Sequence, residues 1–330
     1  MRQIRVYVVL PPRLTLLDLA GPMEVLRRAN LEQTEVCFAV RYVGASSTVL
    51  TSIGIPISSV APLPPRLPDG AMVIVTGDVD DVMTYDGGRY HPGRSPADRE
   101  HQATIVQWLR DVVRPGHKLV CICSGALLAG QAGLLDGYHC TTHYASCQEL
   151  AAIAPRAKVL ENRLYVEDGE RCSSAGIMAG VDLMLHILGQ LTNEACAAAV
   201  ARYLVVYLRR NGADPQLSPW LEGRNHIHPT VHRVQDAIIR DPAKSWNLSA
   251  LARIAGASNR HLSRLFHQHV GMNITDYINR LRVTLARQLI LQSPIDMERV
   301  AERAGFGSTR QLRRAWRRLY GTTPRQARIR

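Results

Sequence analysis

Residues 250–271 read ALARIAGASNRHLSRLFHQHVG, and a second stretch, AGFGSTRQLRRAWRRLYGTTPRQAR at 304–328, repeats their pattern. Ala252, Ala255 and Gly256 recur 49 residues later as Ala301, Ala304 and Gly305. Ser258, Leu262, Arg264, Phe266 and Gly271 recur 50 residues later as Ser308, Leu312, Arg314, Trp316 and Gly321. The one-residue slip falls between two helices, where an insertion costs least. Each copy reads as helix, tight turn, helix. In the first, Leu248–Ala255 leads, with Leu251 and Ile254 apolar and Ala252 small enough for close packing. Gly256 supplies a positive φ at the turn, and Ser258 caps a helix running to about His269.

Leu262, Leu265 and Phe266 give that second helix its inner face, as Leu312, Ala315 and Trp316 do in the second copy. The outward positions are Asn259, Arg260, Ser263, Arg264 and His267, then Thr309, Arg310, Arg313, Arg314 and Arg317. A helix-turn-helix lays this outer face in the major groove of duplex DNA, where arginine pairs with guanine through two hydrogen bonds. Arginines that read no base still neutralise phosphates, as would Arg318 and the tail residues Arg325, Arg328 and Arg330.

The charge distribution agrees. Among 330 residues, positions 1–211 carry 20 basic and 20 acidic side chains. Positions 212–330 carry 20 basic against eight acidic, so the whole formal excess of +12 lies there. A neutral block joined to a basic one predicts a module for small molecules or protein contacts fused to one that meets a polyanion. No apolar run approaches the roughly 20 residues of a membrane helix, and MRQIRVYVVL meets Pro11-Pro12 without a small-residue cleavage site, which argues against a signal peptide. Seven cysteines, all in the first 211 residues, fit reduced thiols in a cytoplasmic protein. Cys121 and Cys123 have no second pair at zinc spacing, and His226, His228 and His232 lack a regular helical spacing, so neither metal nor cofactor is expected.

Before residue 211 the pattern alternates. Ile4–Leu10, Glu35–Val43, Ala71–Thr76, Lys118–Cys123 and Arg171–Ser174 read as strands. Helices are predicted at Gly21–Ala29, Pro96–Val113, Gly176–Leu188 and Asn193–Arg209. Alternation of this kind predicts a parallel sheet covered on both faces, an α/β sandwich, followed by an all-α domain with two helix-turn-helix units. The boundaries expected are 1–211 for the first domain, a Pro- and Gly-bearing linker at 212–228, and 229–330 for the second.

Lys118–Ala129, KLVCICSGALLA, is a strand running into a helix with a cysteine at the junction. The turn exposes Cys123 above the sheet, and the positive end of the following helix favours its thiolate. Most cysteines are small buried hydrophobes, as Cys121 should be. Ser124-Gly125-Ala126 sets Cys123 apart by permitting a sharp elbow.

On these residues two family resemblances stand out. From about His228 to the end, the chain resembles the DNA-binding domain of AraC/XylS-type transcription regulators, most strongly over Ala304–Arg328. That implies two recognition helices in successive major grooves of double-stranded DNA, joined by a long helix at Ile274–Gln292. It also implies contacts from Arg260, Ser263 and Arg264 and from Thr309, Arg310, Arg313 and Arg314. Residues 4–190 resemble the class I glutamine amidotransferase-like, PfpI-type superfamily, which has a flavodoxin-like sheet. The matching stretches are LLDLAGPMEVLRRA (Leu16–Ala29), AGLLDGYHCTTHY (Ala132–Tyr144) and CSSAGIMAGVDLMLHIL (Cys172–Leu188). Isocyanide hydratases and the amidase-like sensor domains fused to AraC-type helices are the nearest in look.

The resemblance implies a nucleophile at Cys123, a carboxylate beside it at Asp18, and the superfamily's Thr-Thr-His segment at Thr141-Thr142-His143. It departs after the Ala71–Thr76 strand. There Gly77-Asp78 stands where the superfamily has Gly-Gly, whose backbone helps bind an oxyanion, and the acidic stretch Asp78–Tyr90 follows. A carboxylate there would raise the thiol's pKa. A lone histidine such as His143 is more often structural than catalytic. The expected function is a regulator that binds a small-molecule effector in a pocket inherited from an enzyme, forms a homodimer and is not itself an enzyme. The alternative is a cysteine-dependent hydratase or hydrolase carrying an accessory DNA-binding domain, and a third reading makes Cys123 a peroxide sensor.

Overall fold

The computed structural model describes residues 1–83, 90–91, 93–206, 210–213, 216, 226, 228–292 and 295–324, with backbone only at 90, 91, 291 and 292. The chain divides into two compact units, Met1–Gln216 and Leu217–Arg330. Most of the Gly212–Pro229 segment, the 84–89 part of the acidic stretch, and Arg325, Arg328 and Arg330 lie outside the described residues. Gly212 and Ala213, expected in the linker, belong to the first unit: Gly212 O accepts from Leu164 N–H at 3.1 Å and Ala213 O accepts from Arg163 Nη1 at 2.8 Å.

The first unit is built on seven strands: β1 (Arg2–Val9), β2 (Val36–Gly44), β3 (Ala61–Pro62), β4 (Met72–Val75), β5 (Lys118–Ile122), β6 (Tyr165–Asp168) and β7 (Arg171–Ser174). Their order is β6-β7-β5-β4-β1-β2-β3, parallel throughout except that β6 runs against β7. Period-two alternation splits the apolar residues between two layers. Val6, Val8, Ile74, Val120 and Ile122 face one core with helices α1 (Leu16–Glu32), α5 (Met178–Leu191) and α6 (Glu194–Tyr203). Val9, Val73, Val75, Leu119 and Cys121 face the other, under α2 (Pro96–Val112), α3 (Gly125–Gln131) and α4 (Cys147–Ile153).

Pairings Val9↔Val75, Cys121↔Val75 and Ile122↔Ser174 bring four strand ends to one edge. Sheet growth reverses direction between β1 and β4, and the crevice outside the carboxyl ends at such a reversal is where α/β sheets bind ligands. Two expectations are corrected. The helix expected to run to Arg209 ends at Tyr203, because Val206 N–H turns back to Ala201 O at 2.9 Å and Val205 adopts φ +55°. The irregular acidic stretch holds a short antiparallel ladder, Val82–Met83 with Tyr90–His91.

The second unit is helical: α7 (Pro229–Arg240), α8 (Leu248–Ala255), α9 (Asn259–Val270), α10 (Ile274–Gln292), α11 (Met297–Arg303) and α12 (Thr309–Tyr320). It has two cores. Leu251, Leu262, Phe266 and Tyr277 belong to one, and Val300, Leu312 and Trp316 to the other. Helix α10 serves both, giving Ile274, Tyr277, Ile278 and Leu281 to the first and Val283, Ala286 and Ile290 to the second. Two residues along a helix turn the side chain by about 200°, so the switch at 281–283 presents opposite faces of one rod to two half-domains. Ile254, apolar though it is, is 38% exposed; Leu251, Ala252 and Ala255 fill the inner face of α8.

Candidate functional site

Both second helices of the duplicated unit start on a serine cap. Ser258 Oγ accepts from His261 N–H at 3.2 Å and Ser308 Oγ from Gln311 N–H at 3.3 Å. Both end on a left-handed glycine, Gly271 at φ +74° and Gly321 at φ +67°. In the turn of the second copy Gly305 holds φ +81°, and a Cβ there would fall 2.5 Å from Ala243 O, so only glycine fits. Leu262 and Phe266, like Leu312 and Trp316, are buried, while Leu265 and Ala315 are half-buried.

The opposite faces are solvent-facing. Asn259, Arg260, Ser263, Arg264 and His267 on α9 are exposed, as are Arg310, Arg313, Arg314 and Arg317 on α12, with Thr309 half-buried. Asn259 Nδ2 donates to Ser249 Oγ at 3.2 Å, and Arg264 Nη2 lies 3.2 Å from His261 Nδ1. Among the described residues, none of these six arginines pairs with a carboxylate. Arg318 does, with Asp276 at 3.0 Å. Arg314 and Arg318 also line a cleft of about 660 Å³ between α10 and α12, with Arg280 across from them and Phe306 and Leu319 among the apolar lining residues.

In the first unit, Cys123 directly follows β5 at φ +56°, a conformation that few residues other than glycine adopt, and its N–H donates to Ser174 O at 3.0 Å. The elbow is tight on both sides. A Cβ at Gly77 would lie 2.2 Å from Asp18 Oδ2, and one at Gly176 would lie 2.2 Å from Cys123 Cβ. Asp18, fully buried on α1, accepts from Ile177 N–H at 2.5 Å through Oδ1, while its Oδ2 has no hydrogen-bond partner among the described residues.

Cys123 is 8% exposed, not raised into solvent. Burial first, and then the Asp18 carboxylate, push its thiol up to about 12, opposite to the thiolate expected of a helix start. Helix α3 is only seven residues long, so its dipole is outweighed. Burial also holds the Asp18 carboxyl above the usual carboxylate range, with the Ile177 N–H acting against it.

Asp78 does not act on the thiol as expected. Its carboxylate turns to the Arg94 guanidinium, to Arg13 N–H at 3.2 Å and to Gln102 Nε2 at 3.4 Å. Burial still raises it to about 6, with Arg94 pulling the other way. Ser124 fastens the same loop: its Oγ accepts from Asp78 N–H at 2.8 Å and donates to Asp78 O at 2.7 Å. Cys123, Asp18, Gly77 and Ser124 are thus together.

His143 is half-buried, its ring tilted against Tyr144 at 4.4 Å between centroids, and held by burial below the usual imidazole value. Its neighbour Thr142 reaches the elbow instead, donating from Oγ1 to Cys123 O at 2.8 Å. Sequence reasoning named Thr142 only within the Thr-Thr-His segment, not as a partner of the elbow, and it missed Arg94, which only the carboxylate at Asp78, in need of a counter-charge, signalled. His226, His228, His232 and His269 cluster with tilted rings, centroids 4.5 Å apart for His226–His232 and 4.6 Å for His228–His269. Among the described residues no group of three such side chains has metal-holding geometry.

Comparison with known proteins bears on both units. A model of the DJ-1/PfpI family matches residues 4–190, and a helix-turn-helix domain model matches residues 251–330. The HTH-type transcriptional regulator GbdR of Pseudomonas aeruginosa is 30% identical over 230 residues, covering 70% of this chain and 61% of that protein. The chain thus spans about 61% of GbdR's length. The HTH-type transcriptional regulator CdhR of the same species is 26% identical over 322 residues, 98% of this chain and 90% of its own. A crystal structure of a THiJ/PfpI family protein from Pseudomonas syringae overlaps 77% of this chain and 90% of its own, at 20% identity and a TM-score of 0.49.

Proposed function

The chain belongs to the DJ-1/PfpI family, and from that membership and the helix-turn-helix domain behind it we propose a DNA-binding transcription regulator whose first domain senses a small molecule. The division into Met1–Gln216 and Leu217–Arg330 suits this reading, as does a homodimer that presents two basic domains to one duplex. The observation that carries the proposal is the pair of capped helices whose six outward arginines have no carboxylate partner among the described residues. Asn259, Arg260, Ser263 and Arg264 of α9 and Thr309, Arg310, Arg313, Arg314 and Arg317 of α12 are the proposed contacts. Exposed guanidinium groups held on rigid, capped helices suit guanine edges and phosphates.

The elbow chemistry supports a binding pocket rather than turnover. A thiol pushed up to about 12 is almost wholly protonated at neutral pH, so nucleophile is scarce. The Asp78 N–H, which occupies the superfamily's oxyanion position, is already donated to Ser124 Oγ. Asp18, Cys123, Gly77, Ser124 and His143 are therefore proposed as pocket residues. The test measures DNA binding directly. Binding to a preferred duplex should weaken steeply between about 50 and 200 mM salt. Arg264→Ala and Arg314→Ala should each cost about 1–3 kcal/mol of specific affinity. A complex indifferent to salt, or full affinity in Arg314→Ala, overturns the reading.

A further inference from the structure

Helices α10 and α12 share the core of Val283, Ala286 and Trp316, and over residues 275–282 α10 flanks the cleft of about 660 Å³ that separates it from α12. A cleft of that size lies within the range of small-molecule sites, roughly 300–1,000 Å³. Arg314, Ala315, Arg318 and Leu319 line it from two successive turns of α12, and Thr275, Asn279 and Arg282 line it as one stripe of α10 at i, i+4 and i+7. Stripes at these spacings ordinarily pack one helix against another. Here they face a space. Phe306, buried, and Met272 and Leu319, both half-buried, give that space an apolar side.

The charge around it is unbalanced. Arg280, Arg282, Arg314 and Arg318 stand against a single carboxylate among the lining residues, Asp276. That carboxylate is occupied: it accepts from Arg318 Nη1 at 3.0 Å and from Asn273 Nδ2 at 2.7 Å. Arg318 is 77% exposed, and ion pairs so open to water hold weakly, so another anion can exchange into this one. Arg282 is half-buried and donates Nε to Pro242 O and Nη2 to Lys244 O, both at 2.8 Å, with no carboxylate partner among the described residues. A guanidinium drawn partly out of water without a counter-ion favours an anion nearby. A bare inorganic anion would meet the arginines but leave Phe306 and Leu319 facing water. A neutral apolar molecule would cover the arginines unpaired. An organic anion with an apolar body satisfies both sides.

We propose that the cleft between α10 and α12 binds an organic carboxylate with an apolar, ring-sized body, the carboxylate paired with Arg314 and Arg318 and the body laid against Phe306 and Leu319. Arg314 is also a proposed DNA contact, so an occupied cleft and a bound duplex compete for one guanidinium. Each then lowers the affinity for the other by the same factor. That exclusion rests on the regulator reading, whereas binding of the carboxylate does not.

The test titrates the full chain by calorimetry with cinnamate, cinnamyl alcohol and inorganic phosphate. Cinnamate should bind, while the alcohol, which keeps the body without the charge, and phosphate, which keeps the charge without the body, should each bind about tenfold more weakly. Thr275→Glu sets a carboxylate at the rim and should weaken cinnamate about tenfold. Thr275→Gln adds the bulk alone and should weaken it much less. Asn279→Glu, one turn along α10, repeats the measurement if Thr275→Glu shows no cooperative melting. For a duplex that the wild-type chain selects from a random-sequence pool, saturating cinnamate should lower affinity severalfold and flatten the salt dependence by about one phosphate contact. Cinnamate that binds no tighter than the alcohol or phosphate, undiminished binding in the Glu variants, or a duplex affinity indifferent to cinnamate overturns the site. A wild-type chain that selects no duplex instead sinks the regulator reading, and the titrations still judge the cleft.

Discussion

Cys123 shows how burial and a neighbouring carboxylate outweigh a local sequence signal. The run Cys-Ser-Gly-Ala does produce an elbow, with Cys123 at φ +56°. Yet the same tightness that makes the elbow, with Gly77 and Gly176 pressed against it, excludes the water that a thiolate needs. In the folded chain Cys37, half-buried, should therefore be alkylated by iodoacetamide at pH 8 well before Cys123, and Asp18→Asn should speed labelling of Cys123 by removing the charge that opposes the thiolate. Peptide mass spectrometry over time checks this, and equal labelling of the two cysteines would contradict it. Asp78 makes a second prediction. Its carboxyl is raised from 3.8 to about 6, so between those values the folded chain binds more protons than the unfolded one. Stability should fall as pH rises through that window and level off above it. Asp78→Asn should remove that part of the slope, measured as melting temperature against pH.

At the scale of elements, period and punctuation were legible and boundaries were less so. Alternating apolar runs gave away β1, β4 and β5 because buried parallel strands need apolar residues on both faces. Ser258, Gly256 and their counterparts Ser308 and Gly305 marked the helix ends, because an orphan N–H and a positive φ each demand a particular residue type. Helix α6 was read too long, since nothing in its apolar run announces the turn at Val205. Arg94 and the elbow contact of Thr142 were illegible for another reason: their partners lie 16 and 19 residues away, and such hydrogen bonding leaves no local pattern. The two cores of the second unit share α10, and beside it Gly305 of the second half packs on Ala243 of the first, so damage to one core should largely spare the other. Trp316→Ala should cost its own core about 3–5 kcal/mol, while Ser308→Ala, which removes only a cap, should cost about 1 kcal/mol. Native-state hydrogen exchange should show α11 and α12 losing protection in Trp316→Ala while α8 and α9 keep theirs. Equal loss in both halves would mean that α10 transmits unfolding rather than isolating it.

For the whole molecule the division of charge has a consequence that neither unit shows alone. Residues 1–211 are electrically balanced and the excess of +12 lies beyond them, so the first domain adds almost nothing to phosphate contact. On the proposed homodimer, its contribution to DNA affinity would come from joining two chains, through multivalency rather than charge. The salt dependence of binding and its strength are then separable. Each phosphate neutralised on duplex DNA contributes a slope of about −0.9 in log affinity against log salt, so six outward arginines predict a slope near −5 for each domain engaged. A fragment comprising residues 217–330, the second compact unit, should keep that slope when a single domain binds a half-site. The full chain on a two-half-site duplex should show about twice the slope, and affinity greater by roughly 10²–10⁴ at equal salt, the range that tethering two modules supplies. Shortening the duplex to one half-site should return the full chain to the fragment's slope and nearly to its affinity. If instead the full chain keeps its advantage on one half-site, the first domain touches DNA directly despite its balanced charge, and the separation of sensing from gripping fails.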